Sequence, residues 1–412
     1  MSKNIIYLHQ YFKFPSESGG TRSFDLSMEF INEGYQVEMV TSTSNEKYNT
    51  SSRWVQVERK GLIVHYIYLP YGNHLSYFQR SIVFFQFLWF STIKLLSLNG
   101  DIVLATSTPL TIGIPSLFKK CIHKTPFIFE ARDVWPEAVI AIGALSNKIL
   151  QKILYMLEHI IYKNAAAIVP LSVDMKHSIV SRYPKLRGKP IVVIENISEV
   201  NRFQNGYCKN TSILREKLGI IPRFTILYAG TFGRVNGIDY VLTLAEKLLP
   251  IDSSIVFVLI GEGAAKESII QKAQKKEILN KNVFILNSVS KAELPQLYFE
   301  CSMGSSFVIP IKELWANSAN KFFDTLAAEK PILINYEGWQ KKVINKSNIG
   351  YVLPDILDVD TIRKFSDYTK NNNLQKSQSE NSLKLATSDY SLDVAVAKYL
   401  KIFQIIMSKY NV

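Results

Sequence analysis

The sequence predicts an α/β protein made of two consecutive domains, each a doubly wound parallel sheet. Its 412 residues exceed what one hydrophobic core usually serves. Short β-branched runs alternate with helical patterns, the signature of βαβ units. The alternation also lapses once, across a polar stretch that ends in "GIIPRF", and then resumes.

In the first series the strands are expected at residues 5–8, 37–41, 63–68, 102–105, 127–130, 167–170 and 191–194, with helices such as 21–33 and 148–164 between them. The second series places strands at 225–229, 255–260, 283–286, 303–308 and 332–335, and helices near 238–249, 264–279 and 320–328. The expected domains are therefore 1–197 and 223–384, joined by a linker at 198–222. The stretch "YTKNNNLQKSQSENS" reads as polar surface, and residues 385–412 as a terminal amphipathic helix packing back on the first domain.

Composition is that of a folded chain, 47% hydrophobic and 20% charged. A formal charge of +13 favours anionic partners, whether nucleic acid, phosphorylated ligands or an anionic membrane. The chain lacks zinc-finger spacing, a recognition helix and an aromatic RNA-binding signature, so nucleic acid is not the expected partner. Three dispersed cysteines suggest neither a disulfide framework nor a zinc site. "MSKN" leads into "IIYLH", too short an apolar run for a signal peptide, so a cytoplasmic location is expected. Tyr77–Leu98 is aromatic and apolar but interrupted by Arg80, Gln86 and Lys94, which fits a sheet-packing helix with one face touching lipid better than a membrane span.

Ligands of open parallel sheets sit beyond the carboxyl ends of the strands, so the loops there hold the candidate chemistry. After the first strand, His9 is kept as a ligand contact, and Gly19 and Gly20 precede a helix start suited to anions, with Arg22 on its first turn. An ordinary flexible turn would look the same. After the strand at 127–130, Glu130, Arg132 and Asp133 cluster; they could hold phosphate and orient a hydroxyl, or Arg132 and Asp133 could simply pair and cap a helix.

The second series repeats the arrangement with "YAGTFGRVNGID", offering Arg234, and "LIGEGAAKE", with Glu262 between glycines. In "SANKFFDTLAAEKPILI", Asn320, Lys321 and Asp324 share one helix surface. Lys321 would meet a diphosphate and Asp324 a ribose diol, or the two would form a solvated salt bridge. The six histidines show neither HExxH nor close pairing, so no metal is expected.

Together "YLHQYF…SGGTRSF", "FEARDVWPEAV", "YAGTFGRVNGID", "LIGEGAAKE", "SVSKAELPQLY" and "SANKFFDTLAAEKPILI" resemble the family-4 retaining glycosyltransferases of the GT-B fold, in the branch of WbuB-like transferases of O-antigen and capsule assembly. The resemblance implies two Rossmann-like domains facing a central cleft, a nucleotide sugar held mainly by the second and acceptor by the first. It implies no metal and no covalent cofactor, UDP-sugar being the substrate. Gly19 and Gly20 would approach the diphosphate and sugar, Ser288 and Val289 the base, Asp324 the ribose and Lys321 the diphosphate.

The sequence departs from the family pattern at three places. The first acidic position of E-x7-E falls on Ala316, the second domain's usual Arg and Lys correspond to Thr231 and Asn236, and the first domain's usual His-Asp is Arg132-Asp133. Diphosphate neutralisation would then fall to Lys321, Arg132, Arg22 or Arg234. The implied reaction is retaining transfer, possible for an N-acetylated deoxyhexosamine such as L-FucNAc, to a polyprenyl-diphosphate-linked glycan at the inner membrane face. A nucleotide-sugar 2-epimerase of the same fold and a non-catalytic basic anion-binding protein are the alternatives.

Overall fold

A computed structural model describes residues 3–17, 19–70 and 77–410, without the side chains of Tyr77, Phe78, Arg80 and Ser81. Ser18 and His74 lie outside the described residues, as does the opening of the Tyr77–Leu98 segment at side-chain level. The chain divides into two compact units: residues 1–14, 20–195 and 395–412 form the first, and 15–19 with 196–394 the second.

The first unit is built on β1 (Asn4–Leu8), β2 (Gln36–Thr43), β3 (Trp54–Arg59), β4 (Leu62–Tyr68), β5 (Ile102–Thr106), β6 (Phe127–Ala131) and β7 (Ala167–Pro170). Its helices are α1 (Arg22–Asn32), α2 (Tyr77–Ser97), α3 (Gly113–His123), α4 (Glu137–Ala141), α5 (Lys148–Asn164) and α6 (Val173–Arg182). The strand order is β3-β4-β2-β1-β5-β6-β7, parallel throughout except that β3 runs antiparallel to β4. Strands β1, β5, β6 and β7 are buried nearly end to end, as a sheet covered on both faces requires.

Connections β4→β5, β5→β6 and β6→β7 all step the same way along the sheet. Right-handed crossovers therefore put α2, α3 and α5 on one face, while β1→β2 steps back and puts α1 on the other. Beside α1 on that second face lies the C-terminal helix, whose Tyr399 and Phe403 rings meet Phe30 edge to face.

The second unit has α7 (Val200–Asn205), α8 (Ile213–Leu218), β8 (Phe224–Ala229), α9 (Ile238–Leu248), β9 (Ile255–Ile260), α10 (Lys266–Lys275), β10 (Val283–Leu286), α11 (Leu294–Glu300), β11 (Met303–Ser306), α12 (Asn320–Ala327), β12 (Ile332–Ile334), α13 (Trp339–Ser347), β13 (Gly350–Val352), α14 (Val359–Tyr368) and α15 (Asn372–Ser388). The last helix, α16 (Leu392–Tyr410), starts in this unit and belongs to the first from Ala395 onward. The sheet is fully parallel in the order β10-β9-β8-β11-β12-β13.

Several expectations are corrected. Residues 198–222 are not a bare linker, because Phe203, Leu214 and Leu218 of α7 and α8 are buried against β8, β9 and α11. Residues 191–194 form no full strand and make one parallel bridge, Ile191 to Ile168, yet they run alongside β7, with Ile168 N–H donating to Pro190 O, Val192 N–H to Ile168 O and Ile194 N–H to Pro170 O. The Asn-rich stretch lies largely in α15, started by Asn371, whose side chain accepts from Leu374 N–H.

Candidate functional site

In the second unit the loops leaving β8, β9 and β10 are fastened to one another. Gly230 N–H donates to Ile260 O, Gly261 N–H to Leu286 O and Phe232 N–H to Glu262 O. The approach demands glycine: a Cβ on Gly261 would stand 1.9 Å from Gly230 O, and one on Gly263, at φ +156°, 2.4 Å from Phe232 O. On the other side of β8, Asn335 exchanges two 3.0 Å hydrogen bonds with the Val308 backbone, which fixes the loop after β11.

Lys321, in the first turn of α12, points into this edge. Its ammonium lies 3.0 Å from where a Gly230 Cβ would stand and 4.8 Å from the centre of the Tyr228 ring. Burial pushes its pKa down to about 8, with Asp324 only partly opposing. Among the described residues no carboxylate forms an ion pair with it. Neither α12 nor α9 has a side-chain N-cap. While Phe322 N–H and Tyr240 N–H already bond the Ala319 and Gly237 carbonyls, the N–H groups of Asn320, Lys321, Ile238 and Asp239 ahead of them meet no capping side chain. Asn320 and Arg234 are exposed beside these two helix starts. The Thr231 carbonyl accepts from Tyr228 Oη and Asn236 Nδ2, which sets the shape of the turn.

Where β10 ends, a cavity of about 350 Å³ opens, lined by Ile260, Leu286, Asn287, Ser288, Val289 and Glu293 among others. Glu262, reading as a ligand contact from sequence, is paired with Lys266, which also reaches Asn287 Oδ1 at 2.7 Å. That lysine holds the Glu262 carboxyl below its ordinary range.

The alternative of a solvated salt bridge between Lys321 and Asp324 does not hold. Asp324 is 6% exposed and accepts from Lys291 Nζ at 2.6 Å, with Glu199 a further 3.5 Å neighbour of the same ammonium. Burial would discharge Lys291, but Asp324 and Glu199 outweigh it and hold its pKa up. Sequence reading missed Lys291 and Tyr228, because a partner 33 residues away and a ring beneath a lysine leave no local spacing.

In the first unit His9, Arg132 and Asp133 sit at the ends of β1 and β6. His9 Nδ1 is 2.7 Å from Ser23 Oγ, and burial, aided by the Arg132 charge, holds the ring neutral. Arg132 and Asp133 do not pair with each other: Asp133 accepts from Thr108 Oγ1 at 2.7 Å, and Arg132 N–H donates to Ser107 Oγ. The Arg132 guanidinium is left half-buried without a carboxylate partner among the described residues.

Arg22 and Glu130 are corrected outright. Arg22 is 5% exposed, with Nε and Nη2 both donating to Glu130 and further bonds to the Ile194 and Glu195 carbonyls. Glu130 is fully buried and also accepts from Tyr399 Oη. Such a pair holds the fold, and neither charge is presented to a ligand. Gly19 adopts φ +132°, a backbone that favours glycine, and Gly20 leads into α1. Among the described residues no group of three or more His, Cys, Asp or Glu side chains could hold a metal ion.

Two parallel-sheet Rossmann-like units define the GT-B class of folds, and solved GT-B structures match the whole chain. The sucrose-phosphate synthase from Thermosynechococcus elongatus aligns with TM-score 0.76 at 12% identity over 99% of this chain and all of that one. Anabaena HepE in complex with UDP and glucose aligns with TM-score 0.69 at 12% identity, covering 98% of this chain and all of HepE. At such identities the likeness is one of fold.

Residues 210–385 match the family model of glycosyl transferases group 1, so the second unit carries a domain of that family. Among curated proteins, the putative colanic acid biosynthesis glycosyl transferase WcaI of Escherichia coli is 29% identical over 99 residues, 24% of either chain. The matches span between 24% and 52% of the length of the curated relatives.

Proposed function

We propose that the protein is a glycosyltransferase that moves a sugar from a UDP-sugar to a glycan acceptor in bacterial capsule or O-antigen synthesis. The observation that carries this reading is Lys321, a half-buried ammonium with no carboxylate partner among the described residues, aimed at a glycine turn between two uncapped helix starts. Holding an unpaired cation in a low-dielectric setting costs stability, and a diphosphate would repay it. The cavity beside Ser288 and Val289, two strands away along the same edge, suits a planar base. HepE, a protein of the same fold, is solved with UDP and with UDP-glucose, which supports UDP as the nucleotide.

Transfer on this reading is retaining and metal-independent. The anomeric bond to the diphosphate breaks as the acceptor oxygen bonds from the same face, and the acceptor proton passes to the departing phosphate. Lys321 stabilises the leaving charge, while Arg132 and Asp133 orient the acceptor side with His9. An N-acetylated deoxyhexosamine such as L-FucNAc is the donor sugar proposed, and a polyprenyl-diphosphate-linked glycan the acceptor. Bacterial colanic acid is the polysaccharide named for WcaI, in keeping with a role in polysaccharide assembly.

Calorimetric titration with UDP, GDP and ADP tests the donor half. Selective UDP binding that Lys321→Ala weakens at least about tenfold is expected. Equal binding of the three nucleotides, or a variant that binds like the parent protein, would overturn it. Transfer from UDP-N-acetylhexosamines to a lipid-linked acceptor, read by mass, tests the rest, with acceptor-independent isomerisation of the donor favouring an epimerase instead.

A further inference from the structure

We propose that helices α2, α3 and α5 of the first unit form a plate that inserts into the interfacial layer of an anionic lipid bilayer. This inference does not depend on the transfer reaction, because it is read by binding alone.

On α2, Ile82, Phe85, Trp89 and Ile93 recur at helical spacing on the face opposite Val83, Phe87 and Leu95, which fill the core. Trp89 is 66% exposed and Phe85 64%, unusual for aromatic side chains of this size. Helix α3 packs beside α2 and adds Phe118 and Ile122, both at least half exposed. Helix α5 packs beside α3 and carries a second stripe, Ile149, Ile153, Met156 and Ile160, opposite its buried Glu158 and Tyr162. Single exposed apolar residues need no explanation, whereas a surface this continuous over three adjacent helices marks an interaction face.

Charge selects the occupant. Of the Lys residues on α2, α3 and α5, Lys148, Lys152 and Lys163 of α5 are exposed, whereas Lys119 is 1% exposed and donates to Leu98 O. The one acidic residue of the three helices is Glu158, which is buried and paired with Arg182. A second copy of this face would meet it with like charge, whereas anionic headgroups would meet the lysines while acyl chains take the apolar stripes. No described helix is long and apolar enough to cross a membrane, so the helices would lie in the plane of the interface.

Flotation of the full chain tests this, using phosphatidylcholine vesicles with and without about 30% phosphatidylglycerol at about 0.1 M and about 0.5 M salt. The chain should float with the anionic vesicles and keep part of that binding at the higher salt. Lipids brominated in the acyl chain should quench its fluorescence, and Trp89→Phe should lose most of the quenching. The triple variant Trp89→Ser, Phe118→Ser, Ile153→Ser should float at least about tenfold less, at an unchanged melting temperature. Absence of flotation at low salt overturns the proposal. So does complete release at high salt without quenching, which would mean headgroup attraction only. A dimer dissociated by the triple variant, with no vesicle binding, would assign the face to a second copy and also overturn it. Should the triple variant fail to fold, the quenching difference between the parent chain and Trp89→Phe still decides.

Discussion

Lys321 shows how one residue can reveal its use by its cost. Its pKa of about 8 lies below the roughly 10.4 of a lysine in an unfolded chain, so between those values the unfolded state binds more protons. Stability from this group is therefore withheld below about pH 8 and regained as pH rises toward the unfolded value. Lys321→Met should accordingly raise stability to urea by about 1–3 kcal/mol at pH 7, and the gain should shrink above pH 9. The same titration acts on the ligand with opposite sign. A diphosphate needs the charged lysine, so the UDP affinity of the parent protein should fall severalfold between about pH 7.5 and 9, with proton uptake on binding. Titration calorimetry in buffers of different ionisation enthalpy reads both effects. A flat affinity with no proton uptake would place the diphosphate elsewhere. Lys321 was legible in the sequence because it stands in a helix start, but its role as an isolated cation was not. That role depends on Lys291, which takes Asp324 away from it through a contact between distant loops.

At the scale of elements, the glycine turns decide whether the edge of the second sheet is one surface or several loose loops. Gly261→Ala places a methyl 1.9 Å from the Gly230 carbonyl, and both backbones are held just past their strand ends, Gly230 N–H donating to Ile260 O and Gly261 N–H to Leu286 O. The substitution should cost about 1–3 kcal/mol of stability and weaken UDP binding about tenfold or more, by displacing the turn over which Lys321 lies. Gly188→Ala, where a Cβ meets nothing within 4 Å, serves as the control. Urea denaturation and calorimetry on the two variants check this, and equal UDP affinities would detach the turn from the site.

The buried parallel strands of both units were legible because their runs are apolar on both faces, as β9 shows with all six residues buried. Strand β3 was not: "WVQVER" is a half-exposed edge, made by a hairpin whose Lys60 and Gly61 both have positive φ. Helices α7 and α8 were missed because they are six residues each and bury only Phe203, Leu214 and Leu218, too short a pattern for a period of 3.6 to emerge from polar neighbours.

For the molecule as a whole, the chain's order and its units do not coincide. Helix α16 comes last in sequence, yet from Ala395 it completes the unit that contains Met1. Tyr399, Ile402, Phe403 and Ile406 are each at most 1% exposed, and Tyr399 Oη donates to Glu130 in the ion pair with Arg22. Ending the chain after Val394 would remove one layer from the face that also carries α1 and would strip a donor from a buried carboxylate. The cost should be several kcal/mol, enough to unfold the first unit. The second unit keeps its six-stranded sheet, its own core clusters and the whole Lys321 edge. The shortened chain should therefore lose vesicle flotation and show an early unfolding transition, while a later transition still moves upward with UDP, since a ligand specific for a native unit stabilises that unit alone. Scanning calorimetry with and without UDP separates the two transitions. If the UDP-dependent transition disappeared with α16, nucleotide binding would require the first unit, and assigning the donor site to the second unit alone would fail.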